Sequence, residues 1–283
     1  MNAPIGGAGV PIGQMWLCRG IHYTRQVIAL RVATFNILHG RTVGDGVDPA
    51  RLRESVERLN PDILALQEVD LDQERSGRAD LTAVAADAMG AVAHRFVAAI
   101  SGTPGATWIA ATGQEQPGTA AYGIALLSRF PASSWQVLRL PRIPTRFPMY
   151  LPDPNRVLIV NEEPRAAVVA QFDTPLGPLT VANTHLSFVP GWNRHQLRRI
   201  VNGVRALPGP RLVVGDLNLT PAAVRRWSGL RALGTAPTFP ADIPQRQLDH
   251  ILTDDPGLIV RGCEAPSMPL SDHRPLVVDL ERR

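Results

Sequence analysis

Ser271-Asp272-His273-Arg274-Pro275-Leu276-Val277-Val278 places an acid and a histidine directly before an apolar run. The run reads as a buried strand. A strand alternates its faces, so polar residues at its mouth can serve one site from neighbouring positions. An isolated Asp-His pair means little, because most such dipeptides are solvated loop residues. Four earlier segments repeat the arrangement, each a short apolar run beside acid, amide or histidine. They are Thr34-Phe35-Asn36-Ile37, Leu64-Ala65-Leu66-Gln67-Glu68, Asn183-Thr184-His185-Leu186 and Val213-Val214-Gly215-Asp216-Leu217-Asn218.

Between these stretches strands and helices interleave. Leu30 to Ile37 reads as a buried strand, and Asp48-Pro49 then sets a capping acid before a proline at the first helical position. Leu52, Val56 and Leu59 follow at helical spacing, and Asn60-Pro61 ends the helix. Ile63 to Leu66 is a short strand delivering Gln67-Glu68, residues 80 to 89 form a helix stopped by Gly90, and Tyr122 to Leu127 is a strand. Ala166 to Phe172 and Leu179 to Asn183 flank a turn at Thr174-Pro175-Leu176-Gly177 as a hairpin. Asn193 caps a helix whose Leu197, Ile200, Val201 and Val204 face inward, while Arg194, Arg198, Arg199 and Arg205 form a solvated face. Leu212 to Val214, Leu248 to Leu252 and Pro275 to Leu280 are the remaining strands, and Thr220-Pro221 starts a helix between the first two. Residues 140 to 164 hold six prolines and read as a long irregular loop bordering the active site, with Phe147, Met149 and Tyr150 exposed.

With 283 residues and 45% hydrophobic content, the chain can build a sizeable core. Residues 30 to 283 read as one catalytic domain, and residues 1 to 29, rich in Gly and Pro and without periodicity, as a loose extension. That segment lacks the pattern of a secretory signal, and no run approaches the length of a membrane span, so a cytoplasmic monomer is expected. All 29 basic residues are arginine, and the net charge of +4 is too small to name a polyanionic partner. Two cysteines, Cys18 and Cys263, cannot supply a disulfide framework or a zinc cluster.

The strand ends offer Asn36, Glu68, His185, Asp216, Asn218, Asp249, Asp272 and His273. A glutamate with an amide and a second carboxylate is a hard, oxygen-rich donor set, suited to Mg²⁺ or Mn²⁺ rather than zinc. Histidines beside aspartates allow acid and base work near neutral pH. The two Asp-His pairs sort by position. His250 follows Asp249 within a strand, so the two point to opposite faces; His250 reads as structural, and Asp249 as the residue that orients His273. A serine hydrolase is disfavoured, since G-x-S-x-G is absent and Ser187 and Ser271 lie in no nucleophile elbow.

Taken in order, Thr34-Phe35-Asn36, Gln67-Glu68-Val69, Tyr122-Gly123-Ile124-Ala125-Leu126-Leu127-Ser128, Asn183-Thr184-His185-Leu186, Gly215-Asp216-Leu217-Asn218, Leu248-Asp249-His250-Ile251 and Ser271-Asp272-His273-Arg274-Pro275 resemble the endonuclease/exonuclease/phosphatase superfamily over residues 31 to 278. The resemblance implies a four-layer α/β sandwich, two facing mixed sheets with helices outside. It implies a divalent metal, Mg²⁺ or Mn²⁺, on Glu68 with Asn36 and Asp272. Asp216 would activate or align water, and Asn218 would hold water or phosphate. His273, oriented by Asp249, would stabilise the phosphorane or act as base; His185 would bind phosphate and assist the leaving oxygen. Tyr122 matches a phosphate-contacting tyrosine of some members. Ile124 departs from the family, where asparagine is common. The Asp70 to Arg78 stretch, with Arg75, resembles a bacterial small-hydrolase branch. The implied activity is hydrolysis of a phosphoester, of a small molecule, a lipid headgroup or a nucleic acid. The alternatives are a DNA endonuclease or exonuclease, and a catalytically inactive phosphate-binding module.

Overall fold

The computed structural model describes residues 29–42, 46–116, 118–144, 146–151 and 156–283. The extension expected over residues 1 to 29 lies, Ala29 apart, outside the described residues. The first half forms β1 (Leu30–Asn36), β2 (Arg41–Thr42), β3 (Gly46–Val47), α1 (Pro49–Leu59), β4 (Ile63–Leu71), α2 (Leu81–Met89), β5 (Ala93–Gly102), β6 (Trp108–Ala110), β7 (Ala121–Ser128) and β8 (Ala132–Leu140). The second forms β9 (Phe147–Leu151), β10 (Arg156–Val160), β11 (Arg165–Thr174), β12 (Gly177–His185), α3 (Trp192–Arg205), β13 (Arg211–Asp216), α4 (Pro221–Ser228), β14 (Arg231–Ala232), β15 (Asp249–Thr253), β16 (Leu258–Glu264) and β17 (Leu276–Arg282).

Why the central strands are apolar on both faces follows from where alternate residues go. Val32, Ile63, Ala65, Val168, Leu212, Val214 and Ile251 meet between the two sheets. Their neighbours Ala33, Leu64 and Leu66 turn outward onto α1 and α2, and Val169, Val213 and Leu252 turn outward onto α3 and α4. Two-sided burial removes the polar half of the usual alternation, so each strand reads as an unbroken apolar run. Each fully buried Leu, Ile or Val contributes roughly 1.5–3 kcal/mol of transfer free energy. The result is four layers, with helices outside a seven-stranded sheet ordered β16-β17-β1-β4-β7-β5-β6 and a six-stranded sheet ordered β14-β15-β13-β12-β11-β8. Both sheets are mixed, with β1 and β4 parallel in one and β12 and β13 parallel in the other.

Helix ends follow local chemistry. Asp48 caps α1 by accepting from Ala50 N–H at 2.9 Å, and Asn60 closes it in the left-handed conformation. The expectation for Asn193 needs correction. α3 starts at Trp192, and Asn193 instead donates from its amide to Asn218 O at 3.0 Å. The loop expected over 140 to 164 is also corrected, since β9 and β10 pair as an antiparallel ribbon. In a two-stranded ribbon each strand has one unpaired side, on which a proline such as Pro148 costs no ladder bond. Among the described residues no helix is long and apolar enough to cross a membrane.

The two parallel pairs run in the direction that brings their C-terminal ends to one lip. Asn36 pairs with Gln67 in one sheet; His185 pairs with Asp216, and Asp216 with Asp249, in the other. Beneath that lip a polar clip joins the sheets. Gln67 donates to Asn183 Oδ1 at 2.8 Å, and the Asn183 amide donates to Leu66 O at 2.9 Å and Ala125 O at 2.8 Å. Both side chains are fully buried and fully engaged, which is the condition for a buried polar network to stabilise.

Candidate active site

Glu68 enters the site through a backbone irregularity. It is the extra residue of a bulge between Gln67 and Val69 and holds φ 58, a conformation that costs a non-glycine residue ~1–3 kcal/mol. The bulge turns its carboxylate into a cavity of about 330 Å³, also lined by Tyr122, Glu162, Arg165, His185, Asp216, Asn218 and His273. Asn218 (φ 49) and Ser271 (φ 72) are likewise left-handed. At the end of β13, Gly215 allows close pairing with β12, since a Cβ there would lie 1.9 Å from Thr184 O.

Asn36 bridges two carboxylates. Its Nδ2 donates to Glu68 Oε1 at 2.9 Å and to Asp216 Oδ2 at 3.1 Å, while its Oδ1 accepts from Leu38 N–H at 3.1 Å. In this arrangement the Asn36 amide orients the Glu68 and Asp216 carboxylates. Asp216 Oδ1 accepts from Asn218 N–H at 3.0 Å; its other oxygen lies 3.5 Å from His185 Nε2 and 3.8 Å from His273 Nε2. The Asn218 amide donates to Leu186 O at 3.1 Å and stands 3.4 Å from His185 Nε2. Asp249 Oδ2 bonds His273 Nδ1 at 2.9 Å, and Phe239 packs on the imidazole with ring centroids 4.9 Å apart. The loop carrying His273 is tied back by Ser271, whose hydroxyl donates to Asn36 O at 2.6 Å and accepts from His273 N–H at 3.0 Å.

Electrostatics separate these groups into different roles. Burial opposes charge on His273, but Asp249, by its charge and its hydrogen bond, overrides this and raises its pKa to about 10. His185 is pushed well below the ordinary histidine range by burial and by Arg165 and His273, so it is neutral. Burial, with repulsion from Asp249, lifts Asp216 to about 7 against the pull of His273 and Asn36. Glu68 is raised by burial, opposed by Asn36 and Arg165.

The donor set fits a hard divalent cation. Glu68, Glu162 and Asp216 crowd one cavity; Glu162 Oε1 lies 3.7 Å from Arg165 Nε, and both Glu162 oxygens and Asp249 Oδ1 are buried without a hydrogen-bond partner among the described residues. Asp272, half-buried, is close enough to add to the rise that burial gives Glu68. Asp216, Asp249 and His273 also bring ligand atoms within 4.8 Å of one another. There the Asp249 and His273 atoms already face each other in a hydrogen bond. The Glu68 side of the cavity and this cluster are thus the two places where a cation could be held.

All nine residues singled out in the sequence thus sit at one end of the sandwich. Tyr122 lines the cavity, while Ile124 lies in the inter-sheet core and cannot contact a phosphate. Sequence reasoning missed Glu162, Glu163 and Arg165, which follow the β9–β10 ribbon and enter the cavity wall. Their signal was the charged run Glu162-Glu163-Pro164-Arg165 at the mouth of β11.

A model of the Endonuclease/Exonuclease/phosphatase family matches residues 33–273. The chain belongs to this family. No curated protein matches the sequence. Among solved structures, an endonuclease/exonuclease/phosphatase from Beutenbergia cavernae is 23% identical with TM-score 0.67, over 90% of this chain and 72% of that one. A mannosyl-6-phosphatase from Bacteroides thetaiotaomicron (16%, TM-score 0.58) and sphingomyelinase C from Streptomyces griseocarneus (18%, TM-score 0.58) each align over 89% of this chain and 99% of theirs. At these identities the likeness shows the fold they share, and family members of this kind act on phosphoesters.

Proposed function

We propose that the protein is a divalent-metal-dependent hydrolase that cleaves a phosphoester P–O bond by direct attack of water. The observation that carries the reading is the convergence of Glu68, Asp216, Asn218, His185 and the Asp249–His273 pair on one cavity from strand ends up to about two hundred residues apart in sequence. Glu68 and Asp272 are the residues that would hold the cation, Mg²⁺ or Mn²⁺, with Asn36 fixing the Glu68 carboxylate. When bound, the cation supplies Lewis-acid neutralisation of phosphoryl charge.

Asp216, with its pKa near neutrality, is placed to take a proton from the attacking water, and Asn218 to hold that water or a phosphoryl oxygen. His273, kept cationic by Asp249, stabilises charge as it grows on the phosphoryl oxygens. His185, neutral and beside Asn218, is placed to donate a hydrogen bond to phosphate or to the departing oxygen. Tyr122 forms the wall on the substrate side.

The test is Mg²⁺-dependent hydrolysis of bis(4-nitrophenyl) phosphate and 4-nitrophenyl phosphate. Glu68→Ala and Asp216→Ala should each lower kcat/KM by roughly a thousandfold, with unchanged circular dichroism, and chelation should abolish activity. Full activity in both variants would refute the assignment. The same assay on plasmid DNA tests the alternative reading as a nuclease.

A further inference from the structure

Arg75 lies outside the roles described so far, and its surroundings set it apart from the surface arginines. The segment that carries it, between β4 and α2, is held rigid. Gln73 donates to Gly102 O at 2.7 Å and Ala121 O at 3.1 Å, Arg78 N–H bonds Gln73 O at 2.8 Å, and Leu71 bridges Asp80. From this platform the Arg75 guanidinium meets the fully buried Asp70 through two parallel bonds, Nε at 2.9 Å and Nη2 at 2.7 Å. Its Cζ stands 5.4 Å from the centroid of the Tyr122 ring, which lines the catalytic cavity. Two contacts thus fix the orientation of the plane, while Nη1 has no partner among the described residues and the side chain stays 31% exposed.

Asp70 does not cancel the charge this group projects. Half-buried His39 is pushed down to about 4 by burial and by Arg75, whose effect there exceeds the opposing one of Asp70. A planar fork held on one edge and open on the other, beside the site of phosphoryl transfer but not in its wall, is suited to a carboxylate or phosphate oxygen.

We propose that Arg75 is a specificity-determining residue that binds a second anionic group of the substrate, on the Tyr122 side of the scissile phosphate. The inference rests on the phosphoester-hydrolase reading and narrows its substrate class to phosphoesters with a further phosphate or carboxylate. Asp70 positions the fork, and the entropy of orienting Arg75 is met in folding rather than in binding.

Paired probes test this. Fructose 1,6-bisphosphate against fructose 6-phosphate reads a second phosphate, and 3-phosphoglycerate against glycerol 3-phosphate reads a carboxylate. Binding is measured by calorimetry with Mg²⁺ in the Asp216→Asn background, which slows turnover, and KM and kcat are measured with Asp216 restored. At least one doubly anionic probe should bind roughly tenfold to a hundredfold more tightly than its partner. Arg75→Gln should erase that preference while leaving affinity for the singly anionic probe, and kcat, within about threefold. Arg75→Lys should recover part of it, and Asp70→Asn should lose most of it. Equal binding within both pairs, or a preference that survives Arg75→Gln, overturns the proposal. A purely structural Arg75 would instead lower the melting temperature and weaken both members of a pair alike. Binding and turnover of none of the four probes, or of bis(4-nitrophenyl) phosphate, would count against the hydrolase reading itself, and the subsite would fall with it.

Discussion

Asp249-His250 and Asp272-His273 are the same two letters in the same order, yet they end in opposite surroundings. In the first, both residues belong to β15, so the strand sends them to opposite faces; Asp249 reaches the cavity, and His250 is buried on the helix side with its Nε2 2.8 Å from Leu219 O. In the second, both precede β17 in a loop tied by Ser271, and here the histidine enters the cavity while the aspartate stays half-exposed. Asp249 then bonds His273, so the working Asp-His pair is assembled from one member of each dipeptide. Adjacency in sequence is the wrong guide to partnership; the strand's two-residue period decides it.

The sharpest way to break this contrast is to truncate each histidine. His273→Ala should lower kcat/KM on a phosphodiester by roughly a thousandfold, within the range for removing a group that stabilises transition-state charge, and should also cost stability, because the buried Asp249 carboxylate loses its partner. His250→Ala should act on stability alone. It leaves Leu219 O without its partner and opens a cavity, costing ~2–4 kcal/mol of stability, while the fraction that stays folded retains kcat. Comparable kinetic losses in both variants would show that His250 serves the chemistry and that the face argument fails.

A smaller effect separates the aspartates. Asp249→Asn keeps the shape but removes the charge that holds His273 protonated, and kcat should fall roughly a hundredfold with Mg²⁺ affinity nearly unchanged. Asp272→Asn should act on the cation, weakening Mg²⁺ binding in calorimetry by roughly tenfold while leaving the His273 pKa, followed by NMR, close to its starting value. If Asp249→Asn were the variant that loses metal, the cluster of Asp216, Asp249 and His273 would be the metal site and the assignment made here would be reversed.

What the residues revealed in advance follows the same physics. Central strands were legible because burial on both faces leaves unbroken apolar runs, and the site was legible because each run ends in a polar residue at the same lip. The β9–β10 ribbon was hidden by prolines, which ordinarily argue against strands. Spacing could not show which atoms of Asn36 face the carboxylates, since that depends on Leu38 N–H taking its oxygen. Arg165 and Glu162 carried only the weak signal of a charged run, because their place in the cavity wall depends on the approach of two sheets, which no local pattern encodes.

The smallest expected effect is also the most diagnostic, because the two histidines should give stability opposite dependence on pH. His250 is lowered by burial, opposed by its bond to Leu219 O and by Asp249. The unfolded chain therefore binds its proton first, and the stability it contributes is present above about 6.5 and lost as pH falls. His273 is raised to about 10, so its contribution is complete below about 6.5 and is lost as pH rises toward 10. Urea unfolding of metal-free protein between pH 5 and 10 should accordingly show an acid limb that His250→Gln flattens and an alkaline limb that Asp249→Asn flattens. The acid limb should be shallow and its flattening partial, since His185 and His39 are also held below the usual histidine range while Asp216, raised to about 7, contributes with the opposite sign over the same window. Were Asp249→Asn to leave the alkaline limb untouched, His273 would owe its charge to another carboxylate, and the cross-strand pairing of the two dipeptides would lose its electrostatic meaning.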